Sequence, residues 1–329
     1  MRRQGARLVV TKDETTLMDL PLIHVEQLAL VGNVQLTTQA VAALLQHEVD
    51  VVFFSSAYRY RGRLMATGSK FAELRHAQLR AMLDDRVNLA LAKGVVDGKL
   101  ANQQALLHRR RAEANGAGPV LDAAVAGIAA MRAGAARAGT LDSLRGYEGK
   151  AGAHYFGAVK ALLDPGWGFN GREYYPPPDP VNAALSFGYT LLLKDAVAAT
   201  QLVGLDPYLG FFHAIHYGRP SLALDVLEEF RPLVVDRLVL RLIRDRHVSP
   251  TDFVRTGQPR RPVMLTPGAS ETFLLAYETE MGRKTFHPAS GQSHPYRRCV
   301  ELQARQIAGV VMGKAEGFVP MIRRDASGR

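Results

Sequence analysis

The apolar pattern of this chain changes its period once, near residue 70, and that change constrains the fold more than any single motif. Before it, short apolar runs alternate with turn residues. Arg7 to Thr11, Thr16 to Leu20, Ile23 to Val31, Val49 to Phe54 and Tyr58 to Leu64 read as strands, and Gly32-Asn33 reads as a turn. Thr37 to His47 is the exception, with helical spacing and Thr37 or Thr38 as N-cap. From Lys70 onward the spacing is helical: first Phe71 to Leu100, then 101–113, 119–138, 147–163, 180–203, 221–246, 270–281 and 293–313. Asn115-Gly116, Asp164-Pro165-Gly166, the proline run 176–178 and Asp206-Pro207 punctuate it. The expected class is α+β, a small N-terminal β-sheet domain over residues 1–70 followed by a larger all-α domain over 71–329, with the boundary within 68–75. No internal repeat is visible.

A 47% hydrophobic content supports a folded core in both parts. The 41 Lys and Arg outweigh 31 Asp and Glu, leaving a net charge of +10, which favours polyanionic partners through phosphate contacts and counterion release. The single cysteine, Cys299, excludes an intrachain disulfide and a cysteine-based zinc cluster. The N-terminal stretch has no apolar run of signal-peptide length, and no uninterrupted apolar run approaches a membrane span, so a cytoplasmic protein without a membrane partner is expected.

Four residues stand out as candidate ligands. Glu148 precedes Ala151, Tyr155, Ala158 and Leu162 at helical spacing, at the start of an expected apolar face. It reads either as an acid interacting with a helix N-terminus or as a partly buried ligand. Asp225 and Glu228 are three residues apart on a helix expected to start near Ser221, a natural N-cap after Pro220. They form a solvated acidic first turn or converge on one ion. His213, beside Phe211 and Phe212, is a packing residue or a ligand, and His216 competes with it. Imidazole with carboxylate oxygen suits a divalent metal. Arg219 and Arg231 flank this stretch. Arg59 and Arg61 interleave with Tyr58 and Tyr60, as on an exposed strand face or a phosphate-tracking surface. No Walker loop, GxGxxG or GxSxG is present, and Ser221 lacks the nucleophile elbow a Ser221/His213/Asp225 triad would need.

Taken together, the chain resembles the CRISPR-associated adaptation integrase, a metal-dependent DNA endonuclease family. The resemblance rests on Val31-Gly-Asn33, Tyr147-Glu-Gly149 with Ala151, the run Pro178 to Tyr189, Gly210-Phe-Phe-His213, and Gly218 to Asp225 continuing through Glu228 to Pro232. It implies a homodimer formed largely through the β domains, and a helical catalytic domain that binds one Mg²⁺ or Mn²⁺ through Glu148, His213 and Glu228. Asp225 would be the neighbouring catalytic acid. Family members with shorter spacing carry Asp at the position of Glu228, which reaches about one methylene further. The implied partners are foreign DNA fragments, the CRISPR repeat, and a small CRISPR adaptation protein bridging two integrase dimers.

The implied reaction is attack of a DNA 3′-hydroxyl on a phosphodiester at the repeat border, or strand cutting with water as nucleophile. Lys150, Arg219 and Arg231 are candidate phosphate holders by position, with Tyr147 and His216 as candidates for proton transfer or strand positioning. Two other readings stay open: a metal-dependent hydrolase of a small phosphoester, and a nucleic-acid scaffold whose acids are structural.

Overall fold

The structure is a computed structural model that describes residues 1–323 apart from 14, 26, 55–59, 65–70, 112–115, 174 and 261. Arg59 therefore lies outside the described residues. The chain forms two compact units, Met1–Ala72 and Glu73–Arg329.

In the first unit, β1 (Arg2–Gln4), β2 (Arg7–Lys12) and β3 (Thr15–Pro21) form an antiparallel sheet in that order. A second sheet has the order β4 (Gln27–Val31), β5 (Asp50–Phe54), β6 (Tyr60–Leu64). The β4–β5 pair is parallel and is connected through helix α1 (Thr38–Gln46). The run 23–31 is not one strand. A 3-10 turn over Leu22–His24 occupies its start. Thr37 is the N-cap of α1, its side chain accepting from the Ala40 N–H at 3.2 Å. Gly32 adopts φ 80°, the left-handed backbone its turn requires. Leu8, Leu22, Leu30, Leu44, Val49 and Val51 bury one shared core.

The second unit holds α2 (Ala72–Leu83), α3 (Asp85–Arg110), α4 (Gly118–Ala136), α5 (Leu141–Ala161), α6 (Pro180–Val203), α7 (Ser221–Glu228), α8 (Arg237–Arg244), α9 (Pro267–Gly282) and α10 (Tyr296–Val311). Two hairpins interrupt the helices: β7 (Phe253–Arg255) with β8 (Val263–Leu265), and β9 (Lys284–His287) with β10 (Gln292–Pro295). Their three- and four-residue strands are too short for a clear period-2 signal. The expected helix 71–100 breaks at Asp84, whose carboxylate accepts from the Arg86 and Val87 N–H groups, and α3 then runs 26 residues without a break at 101. The expected helix 221–246 is also not continuous. Arg231–Asp236 is π-helical, and Pro232 lies within it, lacking the N–H a regular turn needs. Helix α4 is long and apolar enough by composition to cross a membrane. It nevertheless buries Leu121, Ala124 and Ile128 in the core, and its Arg132 pairs with Asp97 of α3.

Two buried acids organise this core. Glu229 accepts from Gln303 of α10 at 2.6 Å and from the Met321 N–H at 2.9 Å, while Asn102 of α3 donates to the Glu229 and Met321 carbonyls. The C-terminal segment is thus tied to α3 and α7. Gly98 makes room for this, since a Cβ there would stand 2.3 Å from Glu229 Oε1. Asp236 accepts from Tyr155 at 2.8 Å and from Tyr189 at 2.6 Å. Burial pushes its carboxyl up to about 6, against the two tyrosine hydrogen bonds.

Gly98→Ala is expected to lower stability by roughly 1–3 kcal/mol through overpacking against Glu229, readable by denaturant unfolding. For Asp236 the folded pKa lies above the ordinary aspartate value, so the folded state holds the proton longer. Its contribution is full below the unfolded pKa and fades as pH rises through about 6. Unfolding free energies of wild type and Asp236→Asn, compared across about pH 4 to 7, should show a fall in the wild type that the variant lacks. Parallel pH profiles would contradict this.

Candidate metal and phosphodiester site

Asp225 lies on the buried side of α7, 1% exposed, and faces the 211–213 loop. Its Oδ2 accepts from the Phe211 and Phe212 N–H groups at 2.6 and 3.0 Å, and its Oδ1 from the His213 N–H at 2.9 Å. The same Oδ1 stands 2.6 Å from His213 Nδ1. An ionised carboxylate only accepts, so this contact places the imidazole proton on Nδ1 and leaves the Nε2 lone pair available. His213 Nε2 lies 3.6 Å from Glu228 Oε1. Gly210 permits the close approach of loop to helix, because a Cβ there would stand 2.7 Å from the Ser221 backbone. Ser221 is not the N-cap. Pro220 holds that position, and the Ser221 hydroxyl donates to the Ala214 carbonyl at 2.8 Å. Arg145 secures the loop from α5, donating to the Phe212 carbonyl at 2.8 Å.

Glu148 does not sit at a helix start. Helix α5 begins seven residues earlier at Leu141, where Thr140 caps it, so a helix-dipole role is excluded by position. Its carboxylate meets the ammonium of Lys99 from α3, which also stands 2.7 Å from Glu228 Oε2. Lys99 therefore bridges the two acids. It was not visible as a candidate in the sequence, although Val95, Val96, Lys99, Gln103 and Leu106 continue one buried stripe of α3, and a lysine on such a stripe needs an acid. Arg231 completes the charge balance, with Nη2 3.1 Å from Glu228 Oε1 and its guanidinium 4.7 Å above the Tyr189 ring. Burial raises the Glu228 pKa, but the cations Arg231 and Lys99 oppose it and the carboxyl is held at about 2.

The structure thus brings Glu148, His213, Asp225 and Glu228 together with Lys99 and Arg231. It separates other candidates of the second unit from them. Lys150 follows Glu148 by two residues, about 200° around α5, and is exposed. His216 is exposed in the 214–218 loop, Arg219 is half-buried beyond it, and Tyr147 packs against the helical core with Gly134 close to its ring. Arg61 is exposed on β6 of the first unit. Arg231 is engaged with Glu228 and Tyr189 rather than extended into solvent. Among the described residues, no three acid or histidine side chains already close around a common point, since Lys99 stands between Glu148 and Glu228. The donor set nevertheless fits a hard divalent cation. Two carboxylates share one positive charge, and the histidine facing them has its far nitrogen held by a third acid.

Comparison with known proteins agrees over nearly the whole length. Residues 1–279 match the family model for CRISPR associated protein Cas1. The chain is 36% identical to CRISPR-associated endonuclease Cas1 3 of Thermus thermophilus, over 98% of this chain and 94% of that protein. Its fold is similar to a casposase bound to integration product, with TM-score 0.80, 21% identity, and coverage of 98% of this chain and 96% of that one. It is also similar to a chain of a partial Cas6-RT-Cas1–Cas2 complex, with TM-score 0.76, 22% identity, and coverage of 98% and 96%. The chain belongs to the CRISPR-associated Cas1 family.

Proposed function

We propose that this protein is the DNA integrase and endonuclease of CRISPR spacer acquisition, joining a 3′-hydroxyl of a short foreign DNA to a phosphodiester of the repeat array. The observation that carries the reading is the cation shared by Glu148 and Glu228 beside an acid-clamped His213. The Thermus relative is named an endonuclease, and the casposase is described with an integration product. Both support the same chemistry.

Glu148, Glu228 and the Nε2 of His213 would hold Mg²⁺ or Mn²⁺, which when bound supplies Lewis acidity toward the phosphodiester and its leaving oxygen. The remaining work belongs to the chain. Asp225 keeps the His213 proton on Nδ1 and fixes the loop that carries the ring. Lys99 and Arg231 keep Glu228 ionised in a site where burial alone would favour protonation, and Lys99 also pairs with Glu148. They also leave positive charge beside the acids, which a phosphodiester requires if it is to approach. Arg219 lies on the loop leading to α7, where it can meet an incoming strand. Lys150 and Arg61 are assigned to further strand contacts. The family reading further gives a homodimer through the β units and a small Cas2-type partner, in keeping with the Cas1–Cas2 assembly that includes the similar chain.

Glu148→Ala, His213→Ala and Glu228→Ala are each expected to reduce strand transfer into a supercoiled repeat plasmid at least about 100-fold, as expected for loss of a direct ligand, with the oligomeric state unchanged. Activity in Mn²⁺ or Mg²⁺ and none in EDTA completes the test. Wild-type rates in all three variants would refute the assignment, and preferential turnover of a small nucleotide ester would redirect it. Asp225→Ala leaves three loop N–H groups without their acceptor. It should lower stability by roughly 3 kcal/mol or more as well as activity, because each buried orphan costs about 1–3 kcal/mol. A stable Asp225→Ala protein would show that other groups hold the loop.

A further inference from the structure

The oxygens assigned to a metal already face a cation. Lys99 projects from α3 with its side chain 8% exposed, meets Glu148 Oε1 from α5 and stands 2.7 Å from Glu228 Oε2 of α7. A divalent ion taken up by the same two carboxylates needs the space and the lone pairs that the ammonium uses. Ammonium and metal side by side also repel, and a largely buried surrounding screens that repulsion poorly. Lys99 therefore has to move when the glutamates take a metal.

A second observation shows where it can go. Gln103 lies four residues beyond Lys99 on α3, so the two side chains are neighbours on one face of the helix. Gln103 is 2% exposed, and its Oε1 is buried with no hydrogen-bond partner among the described residues. A buried carbonyl oxygen without a donor is costly, and an ammonium carries three donors. The flexible four-carbon stem of lysine spans one helical turn.

Charge decides when the move is favourable. Glu148, Asp225 and Glu228 bring three negative charges, Lys99 and Arg231 two positive ones, and His213, with its proton on Nδ1, none. The cluster so counted carries one net negative charge. A divalent ion turns this into one net positive charge. The monoanionic phosphodiester of a DNA strand returns it to zero.

We propose that Lys99 is a resident counter-ion of the metal site, which yields the two glutamates to the metal by moving to Gln103 Oε1 and so makes metal uptake depend on the substrate phosphodiester. This rests on the reading of Glu148, His213 and Glu228 as ligands and adds a regulation to it. Linkage is reciprocal, so DNA tightens metal binding by the factor by which metal tightens DNA binding. The site stays weakly loaded until a strand is in place, which limits stray cutting.

The test measures Mn²⁺ affinity by electron paramagnetic resonance of the free ion, at one fixed pH and salt. Each protein is titrated with and without a saturating short duplex carrying 3′ overhangs, with the duplex alone as blank. In the wild type the duplex should tighten Mn²⁺ binding at least about tenfold. Lys99→Met keeps most of the stem and removes the charge. It should bind Mn²⁺ at least about tenfold more tightly without DNA, and the duplex should then add less than about threefold. Its Tm should fall in EDTA and recover in Mn²⁺, because the facing carboxylates lose one cation and regain another. Gln103→Leu removes only the acceptor. It should weaken Mn²⁺ binding about threefold or more in the wild-type background and change nothing beside Lys99→Met. Weaker or unchanged Mn²⁺ binding by Lys99→Met would overturn the proposal, as would a duplex effect of equal size in both proteins. If Lys99→Met does not fold, Gln103→Leu decides, and wild-type Mn²⁺ affinity in that variant would overturn the proposal. Glu148→Ala and Glu228→Ala serve as references. If they bind Mn²⁺ as the wild type does, the ligand assignment itself fails. If they lose binding while Lys99→Met gains none, only the displacement fails.

Discussion

The site depends on one carboxylate that need not touch substrate. Asp225 is buried in α7 and spends both oxygens on the 211–213 backbone and on His213 Nδ1. This converts a loop with no regular structure into a rigid mount for an imidazole. Without it the N–H groups would be orphaned, the ring would be free to turn, and Nε2 would lose its direction toward Glu228. Gly210, which a Cβ would drive into Ser221, and Arg145, which holds the Phe212 carbonyl, serve the same mount from two other sides.

The second requirement is charge. Burial alone would push the Glu228 carboxyl toward protonation. Lys99 and Arg231 reverse that tendency from opposite sides of Glu228, and Tyr189 supports the guanidinium through its ring while its hydroxyl reaches Asp236. The balance of acid and base is therefore part of the core rather than a surface feature. The π-helical segment Arg231–Asp236 links both layers, because it carries Arg231 at the site and Asp236 between two buried tyrosines. An unbroken α-helix from 221 to 246 would phase these residues differently.

How much of this could be read in advance differs by element. Helix α6 runs from 180 to 203, the range its spacing indicates, because Asp179 caps it and Gly204 ends it in the left-handed conformation. Thr37 likewise announces α1. Helix α5 starts six residues before the expected 147, since Gly146 and Gly149 weaken the local pattern while Thr140 supplies the cap. The hairpins near 253–265 and 284–295 are too short to stand out against helical neighbours. Glu148, His213, Asp225 and Glu228 were legible as residue types with ligand chemistry, and their family pattern set them in order. Lys99 was not, because its meaning comes from acids 49 and 129 positions away.

The sequence by itself determined the two-part α+β organisation, the excess of basic charge and the identity of the acids and histidine, since hydrophobic period and side-chain chemistry are local properties. The tertiary structure alone decided which acid faces the histidine backbone and which faces the cation, and that a lysine of α3 stands between Glu148 and Glu228. Those assignments depend on distances between side chains far apart in the chain, and only packing of the buried helices sets them.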